Sequence, residues 1–154
     1  MEIMKPQSAA GMSLRPAQSG DYPRILQLLS ALELDYPQRD LRCFWVYAGD
    51  ARIVAIAELK EFPGFLLLSC VGVDESLQGS GIGKAFIAEI LSRLQAPVFL
   101  YTLIPGFFRK VGFEEAQEVP AALPPRSYYG CQNCVQQGCT CMVKNRDATQ
   151  LPSI

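Results

Sequence analysis

The stretch "VDESLQGSGIGKAFIAEIL", from Val73 to Leu91, places three glycines within five residues directly ahead of an apolar-periodic segment. The preceding segment 65–73, "FLLLSCVGV", is almost continuously apolar, which predicts a strand buried on both faces near the middle of a sheet. From Gly83 onward, apolar residues recur at helical spacing. The glycines therefore join a central strand to an amphipathic helix, and they predict uncovered backbone at the mouth of that helix.

Two common phosphate-binding patterns do not fit these glycines. A Walker-type loop needs four residues before its Gly-Lys-Ser/Thr, but only three separate Gly79 from Gly83, and Ala85 replaces the hydroxyl. A dinucleotide fingerprint needs a third glycine where this chain has Lys84 or Phe86. Both of these nucleotide-binding patterns are therefore excluded.

The pattern that fits is Gln-x-x-Gly-x-Gly, formed by Gln78, Gly81 and Gly83. The first turn of a helix carries unpaired N–H groups and the positive end of the peptide dipole. Glycines let that backbone approach a pyrophosphate closely, and Lys84 adds a positive charge at the same place. The alternative is a glycine-rich turn that only connects the strand to the helix.

The rest of the chain alternates strand and helix patterns around this segment, which predicts a single mixed α/β (α+β) domain with a central sheet of about six or seven strands flanked by helices. We expect residues 1–12 to form a flexible leader and residues 13–154 to form the domain, with a cysteine-rich segment at 131–141. Strands are predicted over 13–17, 43–49, 52–62, 65–73, 96–104 and 113–119, and helices over 22–32, from 83 to about 94, and within 107–112.

Composition excludes several functional classes. Apolar residues make up 49% of the 154 residues and the net charge is −1 without a basic cluster, which argues against nucleic-acid binding. No apolar run approaches the ~20 residues of a membrane span, and the first residues lack the core of a secretory signal, so we expect a cytoplasmic protein that does not enter membranes. The chain has no histidine, so a general base must be a carboxylate, Tyr, Lys, Cys or bound water.

Three segments resemble the GNAT superfamily of N-acyltransferases. The segment 71–86, "VGVDESLQGSGIGKAF", resembles its acetyl-coenzyme A motif, and 107–113, "FFRKVGF", resembles its second conserved block. The opening 14–29, "LRPAQSGDYPRILQLL", resembles its first strand and helix. The segment 99–113, "FLYTLIPGFFRKVGF", is similar to short members that resemble N-acetylglutamate synthase.

This resemblance implies that the chain binds acetyl-coenzyme A beside two splayed parallel strands. It implies that an amine enters from the far side of the splay and attacks the thioester directly, in a ternary complex. The residues that the resemblance assigns to the cofactor are Val71, Gly72 and Val73 for the pantetheine arm, Gln78, Gly79, Ser80, Gly81, Ile82, Gly83 and Lys84 for the pyrophosphate, and Phe108 from the second block.

The chain departs from the family at two positions that matter for catalysis. Many relatives have a tyrosine acid where this chain has Phe108, and a carboxylate in the region that holds Ser69 and Cys70. We consider Glu58 a candidate base that acts through water, with a solvent-exposed strand residue as the alternative interpretation. Tyr101 is a candidate acid, as are Tyr128 and Tyr129, with packing as the alternative for each. Candidates to hold a substrate carboxylate are Arg15, Arg42, Arg109 and Arg126.

The cysteine-rich segment contains four thiols spaced Cys-x2-Cys-x4-Cys-x-Cys, at Cys131, Cys134, Cys139 and Cys141. Four thiolates at this spacing fit a tetrahedral zinc site or an iron–sulfur cluster. A redox dithiol, disulfides or reduced thiols, with Cys141 as a core strand residue, are the alternatives. The two other cysteines lie in apolar strand patterns and are expected to be small core residues.

These observations predict an acetyl-coenzyme A-dependent N-acetyltransferase. Its acceptor is the primary amine of a small molecule, with amino acids such as glutamate as candidates, and a homodimer is the candidate assembly. The competing hypothesis is a non-catalytic acyl-coenzyme A sensor or regulatory module with a metal-binding cysteine tail, because the usual acid and base are both missing.

Overall fold

A computed structural model describes residues 11–50, 52–125, 128 and 139–145 of the chain. The described strands form one seven-stranded sheet, and three α-helices pack against or flank it. The strands are β1 (Ser13–Pro16), β2 (Phe44–Ala48), β3 (Ile53–Phe62), β4 (Phe65–Val73), β5 (Val98–Thr102), β6 (Glu114–Glu115) and β7 (Thr140–Lys144). The helices are α1 (Tyr22–Ala31), α2 (Ile82–Ser92) and α3 (Pro105–Arg109).

The sheet order is β1-β2-β3-β4-β5-β7-β6, and β4–β5 is its parallel pair. That pair is joined in register at Leu66–Val98 and Leu67–Phe99. Beyond Leu67 the two strands diverge, while β4 keeps its antiparallel partner β3 as far as Val73 and β5 takes β7 as its other neighbour. The sheet therefore opens between the carboxyl ends of β4 and β5.

Each face of the sheet buries its own apolar cluster. The α2 face packs Phe86, Ile87 and Ile90 of the helix against β3, β4 and β5. The opposite face packs α1, through Ile25 and Leu29, against β2 and β3. Because side chains alternate along a strand, neighbouring β3 residues serve both clusters, which explains the long run of buried positions in that strand.

A bulge interrupts the pairing of β3 with β4 close to the opening. The register shifts between Ile56 and Glu58, and Cys70 on the facing strand has a positive φ of 55°. Positive φ is uncommon for a residue other than glycine, and bulges of this kind re-aim neighbouring side chains. Cys70 is consequently half-buried and lies beside the α1 cluster, so the simple core position expected for it is only partly correct.

The mixed sheet of about six or seven strands is confirmed. The strand expected over 113–119 is wrong in extent: β6 has two residues, both exposed, because it pairs only along the edge of β7. The strand expected over 96–104 is shorter as well, and Leu103 and Ile104 lie 68% and 59% exposed beyond its end. None of the helices within the described residues has the length and apolar character that a membrane crossing requires.

Candidate functional site

The glycine segment forms the entrance to α2, beside the opening in the sheet. Gly79 and Gly81 have φ of 83° and 89°, in the left-handed region that favours glycine, and Gly81 is the N-cap of the helix. No neighbouring atom lies within 4 Å of where a Cβ would stand at either residue. The amides of residues 82–84 occupy the first helical turn, where a helix has no earlier carbonyl to accept them. The segment thus presents backbone donors and open space together.

The acidic residue ahead of the glycines fixes the loop to the body of the protein. The carboxylate of Asp74 accepts hydrogen bonds from the Ser76 amide at 3.0 Å and the Ser76 hydroxyl at 2.9 Å. Arg24 donates to it at 2.6 Å, and an Arg52 nitrogen lies 3.4 Å away. The Ser76 amide, followed by Arg24, lowers the pKa of Asp74 to about 2. Asp74 therefore remains ionised at neutral pH and ties the loop to α1 and β3.

Two further glycines permit close packing around the opening. A Cβ on Gly72 would lie 2.7 Å from a methyl of Leu32 and 2.8 Å from one of Leu34. A Cβ on Gly83 would lie 3.2 Å from the Val73 side chain. Gly83 thus lets α2 sit against the end of β4, and Gly72 lets the segment after α1 cover that strand from the other face.

The main chain of β4 borders the opening over its last residues. Val71, Gly72 and Val73 lie beyond the last β4–β5 register pair, and the latter two pair with β3 on their other side. The side-chain amide of Gln78 donates to the Val73 carbonyl at 3.0 Å, which fixes the start of the glycine segment against the strand. Strand and loop thus form one continuous border on the β4 side of the opening.

The opposite face of the sheet holds a buried carboxylate near the same bulge. Glu58 is 0% exposed, so the interpretation of a solvent-exposed strand residue is wrong. One oxygen, Oε1, accepts the hydroxyl of Tyr36, and the other, Oε2, accepts the amide of Asp40 at 2.7 Å. The Cys70 Sγ lies 4.0 Å from Oε1. Glu58 is buried because the segment between α1 and β2 folds over it and supplies both donors.

Burial raises the pKa of Glu58, and the bonds from Tyr36 and the Asp40 amide, with the nearby charge of Lys60, oppose that rise. The net shift of the Glu58 pKa is upward, because desolvation outweighs these opposing contacts. Burial, and then the charge of Glu58, also raise the pKa of the Cys70 thiol. Cys70 is therefore a neutral neighbour of the carboxylate rather than a thiolate nucleophile.

The position of the family's tyrosine acid and the three tyrosines considered as acids have different surroundings. Phe108 is 5% exposed and packs edge-on against Phe107 and Phe113, within the α2-face core. The Tyr101 hydroxyl donates to the Pro124 carbonyl at 2.7 Å. Tyr128 lies beside Lys60 and Tyr36, and Tyr129 is outside the described residues. Neither Phe108 nor the bonded Tyr101 hydroxyl presents an evident proton donor.

Two of the arginines considered for a substrate carboxylate are held by the protein's own carboxylates. Arg15 bonds Asp21 through two nitrogens at 2.6 and 3.0 Å, and Arg42 bonds Asp40 at 3.0 and 2.9 Å. Arg109 lies exposed at the end of α3, and the fourth, at position 126, is outside the described residues.

The cysteine-rich segment is described only at its end. Cys141 lies in β7 opposite Tyr101 and is half-buried against a further apolar cluster that includes Phe65 and Phe99, so the core-strand alternative is partly correct. Cys139 immediately precedes the strand, while Cys131 and Cys134 lie outside the described residues. Within the described residues, no group of three or more His, Cys, Asp or Glu side chains is placed to hold a metal ion.

Sequence reasoning missed two parts of the buried cluster, Tyr36 and Lys60. One signal was present: Glu58 and Lys60 are two residues apart in a mostly apolar strand, so they share one face. Two charged residues on one face of a central strand indicate a buried polar site, and a tyrosine in the preceding segment was available as a partner.

The architecture and the glycine loop together define an acyltransferase-type fold. Residues 40–115 match a family model described as an acetyltransferase (GNAT) domain. That segment of the chain belongs to the GNAT acetyltransferase family, and the recognition made from the sequence motifs is confirmed.

Solved structures share this fold. N-acetylglutamate synthase from Neisseria gonorrhoeae, complexed with coenzyme A and N-acetyl-glutamate, is similar at 22% identity with a TM-score of 0.69 over 91% of this chain. This chain spans 36% of that protein. Rv2747 from Mycobacterium tuberculosis, in a complex that contains CoA, is similar at 21% identity over 86% of this chain and 98% of its own, with a TM-score of 0.68. The ribosomal-protein-S18-alanine N-acetyltransferase from Escherichia coli is similar at 13% identity over 92% and 99%, with a TM-score of 0.63.

Proposed function

We propose that this chain is an acetyl-coenzyme A-dependent N-acetyltransferase that acts on the primary amine of a small molecule. The observation that carries the proposal is the glycine entrance to α2, which lies beside the opening between β4 and β5 in a GNAT fold. Acetyl-coenzyme A supplies an activated thioester carbonyl and a thiolate leaving group when it is bound.

On the α2 side, backbone amides hold the cofactor's diphosphate. Donors in the first helical turn, with the helix dipole behind them, favour a bound anion, and Lys84 adds a charge. The free edge of β4 offers main-chain groups to the amide-bearing pantetheine arm. The cofactor-binding residues in this proposal are Val71, Gly72, Val73, Gln78, Gly79, Ser80, Gly81, Ile82, Gly83 and Lys84, with Phe108 packing behind them.

On the opposite face, Glu58 accepts, through a water, the proton that the ammonium of the acceptor must lose, because the carboxylate itself is 0% exposed. The neutral amine then attacks the thioester carbonyl, a C–N bond forms and the C–S bond breaks, and the remaining extra proton on the nitrogen passes to the departing thiolate through solvent. A thiolate needs little protonation to leave, so the bonded state of the Tyr101 hydroxyl does not prevent turnover. General base catalysis of this kind contributes roughly 10²- to 10⁴-fold.

For the acceptor we propose an amino acid, with glutamate as the first candidate to test. The support is the fold shared with the Neisseria gonorrhoeae protein, whose structure holds N-acetyl-glutamate. Because Arg15 and Arg42 are occupied by Asp21 and Asp40, Arg109 and the arginine at position 126 are the better candidates for a substrate carboxylate. Alanine substitution of each, read as the KM for glutamate against the KM for a carboxylate-free amine, separates the two.

The second candidate is a sensor that binds acyl-coenzyme A without turnover. It is favoured by the aromatic packing around Phe108 and by the Tyr101 hydroxyl, which already donates to a carbonyl. It gives no reason for a carboxylate with a raised pKa beside the opening, so we rank it second.

The deciding experiment is a thiol-release assay with acetyl-coenzyme A and a panel of amino acids, polyamines and small primary amines, together with calorimetric titration of coenzyme A. Binding with turnover on one class of amine supports the enzyme. Binding without turnover on the whole panel supports the sensor. A protein that does not bind coenzyme A contradicts both hypotheses.

The zinc or iron–sulfur site at Cys131, Cys134, Cys139 and Cys141 stays a prediction. Metal analysis of the purified protein tests it, with a Cys131→Ser/Cys134→Ser variant as the comparison and Cys43→Ser as the matched control. About one metal per chain that is lost only in the double variant supports a four-thiolate site. Equal, negligible metal in all three proteins supports reduced thiols or disulfides.

A further inference from the structure

Lys60 is an ammonium enclosed next to the buried carboxylate. Its side chain is 14% exposed, and its Nζ lies 3.7 Å from Oε2 of Glu58. The Nζ donates to the Gln38 carbonyl at 2.6 Å and to the Tyr128 hydroxyl. It also lies over the rings of Tyr36 and Tyr128, at 5.6 and 4.8 Å from their centroids.

These contacts connect three parts of the chain that are distant in sequence. Tyr36 and Gln38 belong to the segment between α1 and β2, Lys60 to β3, and Tyr128 to the stretch before β7. The rings of Tyr36 and Tyr128 lie 6.2 Å apart and tilted, with the ammonium near both. Cation–π contacts of this type strengthen where the cation is shielded from water. A single lysine therefore contacts both the segment that holds Tyr36 and Gln38 and the stretch that holds Tyr128.

The titratable and charged groups that face Glu58 come from several elements. The Tyr36 hydroxyl and the Asp40 carboxylate lie in the segment before β2, with Cys43 at its end. Cys70 approaches from β4, and Lys60 from β3 itself. Among these groups Lys60 is the cation closest to the carboxylate. Burial lowers the pKa of Lys60, but the Tyr128 hydroxyl and Glu58 outweigh it and the net shift is upward, so the lysine stays charged at neutral pH.

We propose that Lys60 is a positioning residue for Glu58, which keeps the carboxylate ionised and holds Tyr128 and the Gln38 carbonyl beside it. This inference rests on the proposed function only for its kinetic consequences. An opposite charge within about 4–6 Å typically lowers a carboxyl pKa by roughly 1–3 units. Loss of the charge therefore moves the titration of Glu58 to higher pH.

The test compares Lys60→Met, Lys60→Arg and Tyr128→Phe with the wild type, and uses Lys110→Met, an exposed lysine after α3, as the matched control. Two readouts are measured on each folded protein. The first is the pH titration of the Glu58 carboxyl carbon by ¹³C NMR, with its signal assigned by Glu58→Gln. The second is the pH profile of kcat/KM with the preferred amine.

We expect Lys60→Met to raise the Glu58 midpoint by roughly one unit or more and to move the acid limb of kcat/KM upward by the same amount. Lys60→Arg keeps both near the wild-type values, and Lys110→Met changes neither. Tyr128→Phe keeps the charge and therefore keeps the midpoint. We expect the KM for the acceptor to rise in Tyr128→Phe while kcat changes less, because only the hydrogen bond between Lys60 and the Tyr128 hydroxyl is lost.

An unchanged Glu58 midpoint in Lys60→Met overturns the proposal. So does a selective rise of KM for carboxylate-bearing amines, because it assigns Lys60 to the substrate instead. If Lys60→Met does not fold, the test uses the midpoints of the Glu58 titration in Lys60→Arg and Tyr128→Phe. A shift of one pH unit in either variant contradicts the proposed role of the Lys60 charge. The NMR readout needs no turnover, so failure of the acetyltransferase proposal leaves this inference separately measurable.

Discussion

The two faces of the opening between β4 and β5 are built from different parts of the chain. On the α2 face, the candidate cofactor site is main chain from one continuous segment, 71–84, and its donors are amides. On the other face, the candidate acceptor site is side chains from separate segments, which meet at Glu58 through bonds to Tyr36 and to the Asp40 amide. A backbone site tolerates most side-chain changes except at its glycines, whereas a side-chain site is disrupted by the loss of single atoms.

The largest effect is expected from Glu58→Gln, which keeps the shape of the side chain and removes its basicity. We expect kcat/KM to fall by roughly 10²- to 10⁴-fold, since the base is lost, while the Kd for coenzyme A stays unchanged. Steady-state kinetics and calorimetry measure the two quantities. Glu61→Gln, on the exposed end of the same strand, is the matched control. Near-wild-type activity in Glu58→Gln would give the carboxylate a structural role only.

A smaller effect, confined to the other face, is expected from Gly81→Ala. The residue has φ of 89°, so alanine is strained by about 1–2 kcal/mol, although no atom obstructs its Cβ. We expect the strain to displace the first-turn amides and raise the Kd for coenzyme A by about tenfold, because ~1.4 kcal/mol corresponds to that factor.

The matched control for Gly81→Ala is Gly64→Ala. Gly64 has φ of 86°, also has open space around its Cβ position, and lies in the β3–β4 turn at the far end of the sheet. Both variants should lose similar stability in urea unfolding, and only Gly81→Ala should lose affinity. An equal loss of affinity in the two would mean that the glycine entrance does not hold the cofactor.

Asp74→Asn tests how strongly the backbone site depends on its anchor. We expect a loss of about 1 kcal/mol in the free energy of unfolding at pH 7, because the partly buried bond to Arg24 loses its charge. The folded pKa lies at about 2, below the ordinary 3.8, so the carboxylate stabilises the fold above about pH 4. The stabilisation from the ionised Asp74 is lost as the pH falls from about 4 towards 2.

Urea unfolding of wild type and Asp74→Asn at pH 7, 4 and 2 measures this dependence. The two proteins should differ by about 1 kcal/mol in the free energy of unfolding at pH 7, and this difference should fall close to zero at pH 2. Asp21→Asn, which breaks the pair with Arg15 away from the opening, serves as the control and should leave the Kd for coenzyme A unchanged. A difference that grows towards low pH would contradict the role of the Asp74 charge.

The smallest effect is expected from Tyr101→Phe. Its hydroxyl donates to the Pro124 carbonyl, so its removal should cost about 1 kcal/mol of stability and change kcat by less than about threefold. Stopped-flow thiol release with the preferred amine measures the rate. A loss of 100-fold or more would restore Tyr101 as the acid that protonates the leaving thiolate.

The backbone geometry of the glycine segment was predictable because it is determined locally. Its left-handed residues, its helix start and the apolar strand before it lie within one short segment, so spacing alone distinguishes it from a Walker loop or a dinucleotide fingerprint. Strand patterns of the same kind predicted six of the seven strands, whereas β7 was anticipated only by the alternative that placed Cys141 in a core strand. Helix α2 begins at Ile82, one residue before the predicted start, because Gly81, in the left-handed region, is its N-cap.

The acceptor side was predictable only in part. Glu58 was identified as a candidate, but its complete burial depends on Tyr36 and on the Asp40 amide, 22 and 18 residues away in sequence. No local pattern specifies that the segment after α1 folds back over β3. The sequence also did not reveal that Arg15 and Arg42 pair with Asp21 and Asp40. An arginine binds a carboxylate of the protein and a carboxylate of a substrate through the same contacts, so the residue type alone does not distinguish them.

The order of the strands also determines when this sheet can form during synthesis. In the described chain, β5 shares two register pairs with β4 and five with β7, and β6 takes both of its pairs from β7. A nascent chain that has not yet released Thr140–Lys144 from the ribosome therefore carries β5 with one edge open and β6 without its partner. The β5 border of the opening is therefore paired on both edges only once β7 is available, and β6 joins the sheet no earlier than β7.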